Sequence, residues 1–317
     1  MPAELPLVAS PIIGGDPRRL DSADALARWV AEQLGLDHPV RERVSMNAVY
    51  RCGSAVIRVS RPTVDPIVAI DTAHFLLDKR IPTAVPFVDR SFHDPRIDPN
   101  LAATVWRHVD IDSRARPNWR DVGTAMRALH SLDPSEISDR HPLPRATRFP
   151  WWNVPSILDE VAPSMSTTHH ESLSTAWERL RWAIEAIDEH PSHPIVVHGD
   201  LHPGNVVVER TTKRTVILDW DLLSSSSVAW DHAPLMRWAS HWSERNSKVG
   251  DPYLEFSEGY GTSLIDDPLA EALAELRLLV ATLMRAKSAM NDPTGRAEAT
   301  KRLGYWTGED DRPWNAV

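Results

Sequence analysis

Hydrophobic positions in the first third of the chain follow helix and strand spacings in turn. Residues 21–36 begin with two capping residues and place Leu26, Val30 and Leu34 on one face, which predicts an amphipathic helix. β-Branched residues alternate through residues 43–60 around a Cys-Gly-Ser turn, which predicts a β-hairpin. A second helix is predicted at residues 67–79, and two short strands at residues 85–88 and 102–108. These elements together predict a small α+β unit.

After residue 110 the apolar residues recur with the spacing of helices. Helices are predicted at residues 119–132, 172–190 and 267–291, interrupted by strands at residues 195–197, 206–208 and 216–218. The proline-rich residues 140–155 predict a loop whose Trp151-Trp152 pair either packs in a core or forms the rim of a site. We therefore divide the chain into a first domain of residues 1–109 and a second of residues 110–317.

Composition narrows the class of protein. The 317 residues are 42% hydrophobic and 25% charged, which is enough to build a core and excludes a disordered chain. A formal net charge of −9 argues against a nucleic-acid binder. The single cysteine, Cys52, indicates a reducing compartment, and we see neither a leader peptide nor an apolar run of about 20 residues. We expect a cytoplasmic protein that binds no membrane.

Candidate chemistry is concentrated in two segments, HGDLHPGN at residues 198–205 and ILDWD at residues 217–221. Asp200 and Asn205 lie in a loop between predicted strands, and Asp219 lies at the end of the next hairpin. Carboxylate and amide oxygens suit Mg²⁺ with bound phosphates, and a further carboxylate can accept a hydroxyl proton. The order and spacing match the catalytic loop and metal-binding aspartate of protein kinases.

At these residues the chain resembles the aminoglycoside phosphotransferase and choline kinase-like superfamily of small-molecule kinases. The resemblance implies a bilobal protein kinase-like α+β fold, with a small β-rich N-lobe, a larger and mainly helical C-lobe, and ATP with Mg²⁺ bound between them. It implies that Asp200 is the catalytic base, that Asn205 and Asp219 hold magnesium, and that a small-molecule hydroxyl is the acceptor. Trp230-Asp231 also resembles a motif of this group, and either lines the acceptor pocket or anchors the catalytic loop.

The nucleotide-binding residues are less clearly marked. The family usually carries a Gly- or Ser-rich loop in the first hairpin, whereas this chain offers only Ser-Met-Asn-Ala at residues 45–48. By resemblance, Arg58 on the following strand takes the place of the basic residue that meets the α- and β-phosphates. The segment that bonds adenine through its backbone is expected between the lobes at residues 106–109, with Trp106, His108 and Val109 as the candidate nucleotide-binding residues.

The sequence leaves three other functions open. A nucleotide-binding, pseudokinase-like module without transfer would explain the missing glycine-rich loop. His198, Asp200 and His202 alternate, which also suits the transition-metal site of a hydrolase. A protein kinase is disfavoured because no Ala-Pro-Glu segment follows Asp219.

The distribution of charge bears on the acceptor. Residues 1–109 hold 13 basic and 13 acidic side chains, and residues 110–317 hold 22 and 31, so the whole surplus of −9 lies in the second domain. Twelve of the 13 Trp residues also follow residue 100. Acidic and Trp-rich surroundings favour an amino-bearing sugar or alcohol, unless the acids are solvated helix faces and the Trp residues are core.

Overall fold

The computed structural model describes residues 17–44, 46–62, 65–138, 141–189, 194–242, 251–291, 293–309 and 312–315. Some sequence predictions concern residues outside this set. They are the expectation about a leader peptide at the N-terminus, Ser45 of the first hairpin, Arg140 of the proline-rich segment, and the end of the helix predicted to reach His190. Two compact units are formed. Among the described residues, the sheet unit takes those within 1–111, 137–142 and 209–218, and the helical unit takes those within 112–136, 143–208 and 219–317.

Helices and strands follow one another along the chain with several short connections. In chain order they are α1 (Pro17–Leu34), β1 (Val40–Val44), β2 (Ala48–Cys52), β3 (Ala55–Ser60), α2 (Ile67–Asp78), β4 (Ala102–Arg107), α3 (Trp119–His130), α4 (Pro134–Ser138), α5 (Val154–Val161), α6 (Thr167–Leu180), α7 (Trp182–Glu189), β5 (Ile195–Val197), β6 (Val206–Val208), β7 (Thr215–Ile217), β8 (Ser224–Ser226), α8 (Ala229–His241), α9 (Pro252–Tyr260), α10 (Pro268–Asn291) and α11 (Arg296–Trp306). Short 3-10 turns connect several of them.

The sheet unit is built on an antiparallel sheet with strand order β1-β2-β3-β4. Side chains alternate along β3, so that Ala55, Ile57 and Val59 are buried in the core that includes apolar residues of α1. The opposite face of β3 presents Val56 and Arg58 half-buried. Arg58 is therefore placed on the face of the sheet opposite the α1 core by the two-residue period of the strand.

The helical unit packs around α10, which contacts α5, α6, α8 and α11. Helices α3 and α9 approach each other closely because glycines face the contact. A Cβ on Gly123 would overlap the carbonyl oxygen of Phe256, and one on Gly259 would overlap that of Arg120. Within the described residues, no helix has both the length and the apolar character needed to cross a membrane.

The predicted α+β fold class is confirmed, with local corrections. Residues 85–88 form no strand; Pro86 makes one bridge to Trp106, flanked by bonds from the Phe87 N–H to the Val105 carbonyl and from the Arg107 N–H to the Val85 carbonyl, and the pairing extends no further. The helix predicted at residues 172–190 is two helices, α6 and α7. The N–H of Ile184 bonds the carbonyl of Arg181 at 3.0 Å, so the chain tightens into a turn between them.

Candidate active site

The segment of residues 198–205, called the catalytic loop below after the kinase motif that it resembles, starts where β5 ends. β5 pairs antiparallel with β8, a strand of three serines that its composition did not predict. Directly after β5, Gly199 adopts a left-handed φ of 86°, and a Cβ at this position would overlap the carbonyl oxygen of Leu222. Glycine is therefore required at this position, both for its φ and for the space. The turn brings Asp200 to a partly exposed position, 32% accessible.

Asp231 at the start of α8 anchors the loop. Its carboxylate is fully buried and accepts the backbone N–H groups of His198 at 2.7 Å and Gly199 at 3.0 Å. Nε2 of His130 donates to the same carboxylate at 3.1 Å, and Nδ1 of His130 lies 3.0 Å from the Tyr260 hydroxyl. Burial raises the pKa of Asp231, but hydrogen bonds and charge from His130 and His198 outweigh it, so that its pKa is lowered.

Trp230 holds the other side of Gly199. Its Nε1 donates to the Gly199 carbonyl at 3.1 Å, and its ring meets that of Trp152 edge-on at 4.7 Å. Both tryptophans are buried, so Trp152 is core rather than rim, while Trp151 is half-buried and stacks on Phe149 at 5.1 Å. Of the two alternatives for Trp230-Asp231, the structure shows the anchor.

Asp200 lies between cationic and ionisable groups. Nη2 of Arg277, on α10, donates to Oδ1 of Asp200 at 2.8 Å, and Nε2 of His202 lies 3.6 Å from Oδ2. Burial raises the pKa of the Asp200 carboxyl. The neighbouring His202, Arg277 and His198 lower this pKa by more than burial raises it, so it lies well below the usual range of an aspartate. The carboxylate is therefore ionised at neutral pH and acts as an acceptor.

His202 is held on two sides. Its Nδ1 accepts the backbone N–H of Gly204 at 3.0 Å, which caps the 3-10 turn that leads to Asn205. Its ring stacks on Trp238 with the centroids 5.4 Å apart. His198 also makes a hydrogen bond within the loop, because its Nδ1 accepts the N–H of Asp200 at 3.2 Å.

The two predicted magnesium ligands lie in the helical unit with Asp200. Nδ2 of buried Asn205 donates to the carbonyl oxygen of Asp200 at 3.0 Å, which sets the orientation of the amide. Asp219 adopts a left-handed conformation, φ 65° and ψ 62°, before the 3-10 turn Trp220–Leu222. A left-handed non-glycine residue is uncommon and clusters at functional sites. Asp221 is exposed in that turn. Among the described residues, the side chains of His, Cys, Asp and Glu form no group of three or more that could hold a metal ion.

The four predicted nucleotide residues lie in the sheet unit. Asn47 lies within hydrogen-bond reach of the Arg58 guanidinium; with the Asn47 amide assigned so that its oxygen faces the donors, that oxygen accepts from Nε at 3.2 Å. Nε1 of Trp106 donates to Thr104 Oγ1 at 2.8 Å. The N–H of His108 donates to the Ser54 carbonyl at 2.8 Å, and Val109 follows, half-buried.

The motifs did not reveal two residues of this site. His130 and Arg277 lie on predicted helices, 101 residues before Asp231 and 77 residues after Asp200. His130 carries one weak signal: it follows Met126 by four residues, so that a polar group lies on the buried face of α3. Arg277 carries the same weak signal, since it follows buried Leu273 by four residues among the apolar residues of α10.

Comparison with known proteins adds to this geometry. The profile of APH, the phosphotransferase enzyme family, matches residues 69–289. No curated protein sequence matches the chain significantly.

Solved structures with the same fold include three that cover most of this chain. They are a spectinomycin phosphotransferase, APH(9)-Ia, in complex with ADP and spectinomycin (14% identity, 90% of this chain and 95% of that chain, TM-score 0.60), an aminoglycoside phosphotransferase, APH(3'')-Id, from Streptomyces rimosus (20%, 82% and 98%, 0.57), and a choline/ethanolamine kinase family protein from Mesorhizobium loti (18%, 93% and 95%, 0.57). At these identities the likeness concerns the fold.

Proposed function

Because this chain belongs to the phosphotransferase enzyme family, we propose that it transfers the γ-phosphoryl group of ATP to a hydroxyl group of a small molecule. The resemblance found in the two sequence motifs is confirmed by the family match. Spectinomycin phosphotransferase, a structure of the same fold, was solved with ADP and spectinomycin, which supports a nucleotide and a small acceptor for this chain.

The placement of Asp200 carries the proposal. Its backbone is held through the neighbouring Gly199, whose N–H and carbonyl are bonded by Asp231 and Trp230. Its carboxylate is ionised and partly exposed. A fixed, ionised carboxylate that an outside hydroxyl can reach is what a catalytic base for phosphoryl transfer requires.

In the proposed reaction, a carboxylate oxygen of Asp200 accepts the hydrogen bond of the acceptor hydroxyl and directs its oxygen at the γ-phosphorus. A bond forms between that oxygen and phosphorus as the bond from phosphorus to the oxygen bridging to the β-phosphate breaks. The hydroxyl proton passes to Asp200, and ADP leaves with the bridging oxygen. Since the transferred group needs little covalent help, orienting the acceptor is the main task of this residue.

Asn205 and Asp219 are the residues that would hold Mg²⁺. Their donor set fits, since a carboxylate and an amide oxygen are hard ligands. The amide of Asn205 is oriented by its bond to the Asp200 carbonyl, which commits its nitrogen and leaves its oxygen as the donor for a cation. When bound, the ion neutralises charge on the phosphates.

The sheet unit is proposed to bind the nucleotide. Arg58 is half-buried on the face of β3 opposite the α1 core, and its guanidinium is the kind of group that binds phosphate oxygens. The N–H of His108 already bonds Ser54, so we assign the backbone contact with adenine to Val109.

The chemical class of the acceptor is proposed more broadly. The net charge of residues 110–317 favours an amine on the acceptor. However, many acidic side chains of the helical unit pair with arginine, as in Arg116–Glu255, Arg120–Glu258, Arg179–Glu275 and Arg237–Glu271. The test must therefore include acceptors with and without an amine.

A coupled assay of ADP release tests the proposal, with amino sugars, amino alcohols and neutral sugars as acceptors. We expect acceptor-dependent ADP release from the wild-type protein, and a decrease in kcat of about 10³-fold in Asp200→Asn with ATP binding retained. Asp133→Asn is the control, because Asp133 is an exposed carboxylate that bonds Ser135. Full turnover by Asp200→Asn, or ATP binding with no transfer to any acceptor, would contradict the proposal.

A further inference from the structure

Arg277 of α10 contacts the catalytic loop from a distant part of the chain. Its Nη2 donates to Oδ1 of Asp200 at 2.8 Å and lies 3.5 Å from the carbonyl oxygen of Gly199. The guanidinium is permanently charged and donates in a fixed planar geometry. One group therefore meets both the side chain of the proposed base and the backbone just before it.

The position of Arg277 is itself restrained. Its guanidinium lies over the ring of Trp152 at 5.2 Å, and its side chain is only 15% accessible. Trp152 in turn packs on Trp230, which bonds the Gly199 carbonyl. The tryptophan that supports Arg277 thus packs against the tryptophan that supports the catalytic loop.

This contact distinguishes the two oxygens of the Asp200 carboxylate. Oδ1 is bound by Arg277, whereas Oδ2 has the His202 ring nitrogen as its neighbour at 3.6 Å, beyond hydrogen-bond distance. Rotation of the carboxylate would break the 2.8 Å bond, so Arg277 restrains it. Oδ2 is the oxygen left to meet an acceptor hydroxyl.

Building on the proposed function, we propose that Arg277 is a positioning residue: it holds Oδ1 of Asp200 so that Oδ2 is aimed at the acceptor hydroxyl. Other arginine pairs of α10 do not share this role. Glu275, two residues before Arg277 on α10, pairs at 2.8 Å with the exposed Arg179 of α6 and is itself half-buried. An ion pair that merely joined helices would not need the catalytic base as its partner.

The test compares Arg277→Met, which keeps apolar contact with Trp152, with the control Arg179→Met. For Arg277→Met we expect kcat to decrease by about 10- to 100-fold, with KM for ATP and for the acceptor changed by less than about twofold, because a misaligned base impairs transfer rather than binding. Arg179→Met should match the wild-type protein. Hydrolysis of ATP by water serves as the assay if no acceptor in the panel is turned over.

Two further variants separate positioning from structural support. Free guanidinium should restore part of the kcat of Arg277→Ala and none of that of Arg277→Met, which has no space for it. In an Asp200→Asn background, Arg277→Met should change kcat no further, since its effect acts through that carboxylate.

Each contrary result overturns either the role of Arg277 or the proposed function. Wild-type kcat in Arg277→Met, together with an inactive Asp200→Asn, overturns the role of Arg277 and leaves the proposed function intact. A raised KM for the acceptor with unchanged kcat makes Arg277 a binding residue, and absence of guanidinium rescue makes it structural; both overturn the inference. Full turnover in Asp200→Asn contradicts the proposed function itself.

Discussion

The helical unit and the sheet unit hold their candidate residues in different ways. In the helical unit, the catalytic loop is bonded by the buried carboxylate of Asp231 and the indole of Trp230. In the sheet unit, Arg58 is half-buried on a strand face beside Asn47, and Val109 follows the end of β4.

The difference matches the two tasks proposed above, phosphoryl transfer at Asp200 and nucleotide binding at Arg58 and Val109. Transfer needs a base held to within a fraction of an ångström, which a buried and fully bonded network provides. Nucleotide binding can use backbone groups and a long charged side chain that changes its conformation to contact the phosphates. We therefore expect changes around the catalytic loop to reduce both stability and turnover, and changes at the nucleotide residues to reduce nucleotide binding alone.

Asp231→Asn should show the largest effect. The amide would turn an N–H₂ group toward N–H donors in a buried site, so we expect a loss of about 4 kcal/mol in the free energy of unfolding, and a lower kcat. Urea unfolding and the ADP-release assay measure the two. Asp94→Asn is the control in the sheet unit, where exposed Arg96 is the partner and a smaller loss is expected. Equal losses in the two variants would remove the contrast between the units.

Gly199→Ala comes next. A left-handed alanine costs about 1–2 kcal/mol, and overlap with the Leu222 carbonyl adds to it, so we expect a loss of about 3 kcal/mol with lower turnover. Gly308→Ala is matched, because Gly308 has a φ of 92° and no atom within 4 Å of an added Cβ. It should lose only about 1 kcal/mol. Thermal or urea unfolding of both variants checks this, and equal losses would mean that the loop accommodates the methyl group.

The pH dependence of stability tests the same network through His232, whose ring contacts Tyr260. Burial, with a smaller effect from His130, lowers the pKa of His232 to about 4, within a box formed by Tyr253, Phe256 and Tyr260. Between pH 6.5 and 4 the unfolded chain binds this proton and the folded chain does not, so stability decreases as the pH falls. We expect a loss of about 2 kcal/mol between about pH 7.5 and pH 5, absent in His232→Phe. The same pH dependence in both proteins, measured by urea unfolding, would assign it to other groups.

Arg58→Met should have the smallest effect. We expect KM for ATP to rise about tenfold, the loss of roughly 1.4 kcal/mol of binding, with the unfolding free energy unchanged. Arg51→Met is the control on β2, where Arg51 pairs with Glu42 at 2.8 Å on the surface. If the two variants had the same KM, Arg58 would have no part in nucleotide binding.

The sequence by itself determined the fold class and the segments that carry the proposed chemistry. Asp200 and Asn205 share one short loop, and Asp219 ends the next hairpin, so local spacing was enough to group them. Helices α1, α3 and α10 were also predictable, because apolar residues recur along them at helical spacing.

Only the tertiary structure decided how that loop is held. Trp230-Asp231 had two possible roles until the bonds to His198 and Gly199 showed the anchor. The three serines of β8 form a strand because β5 supplies the partner, against their own propensity. His130 and Arg277 come to the loop from distant helices. Packing alone brings such residues together, and no local pattern records a contact between residues so far apart in the chain.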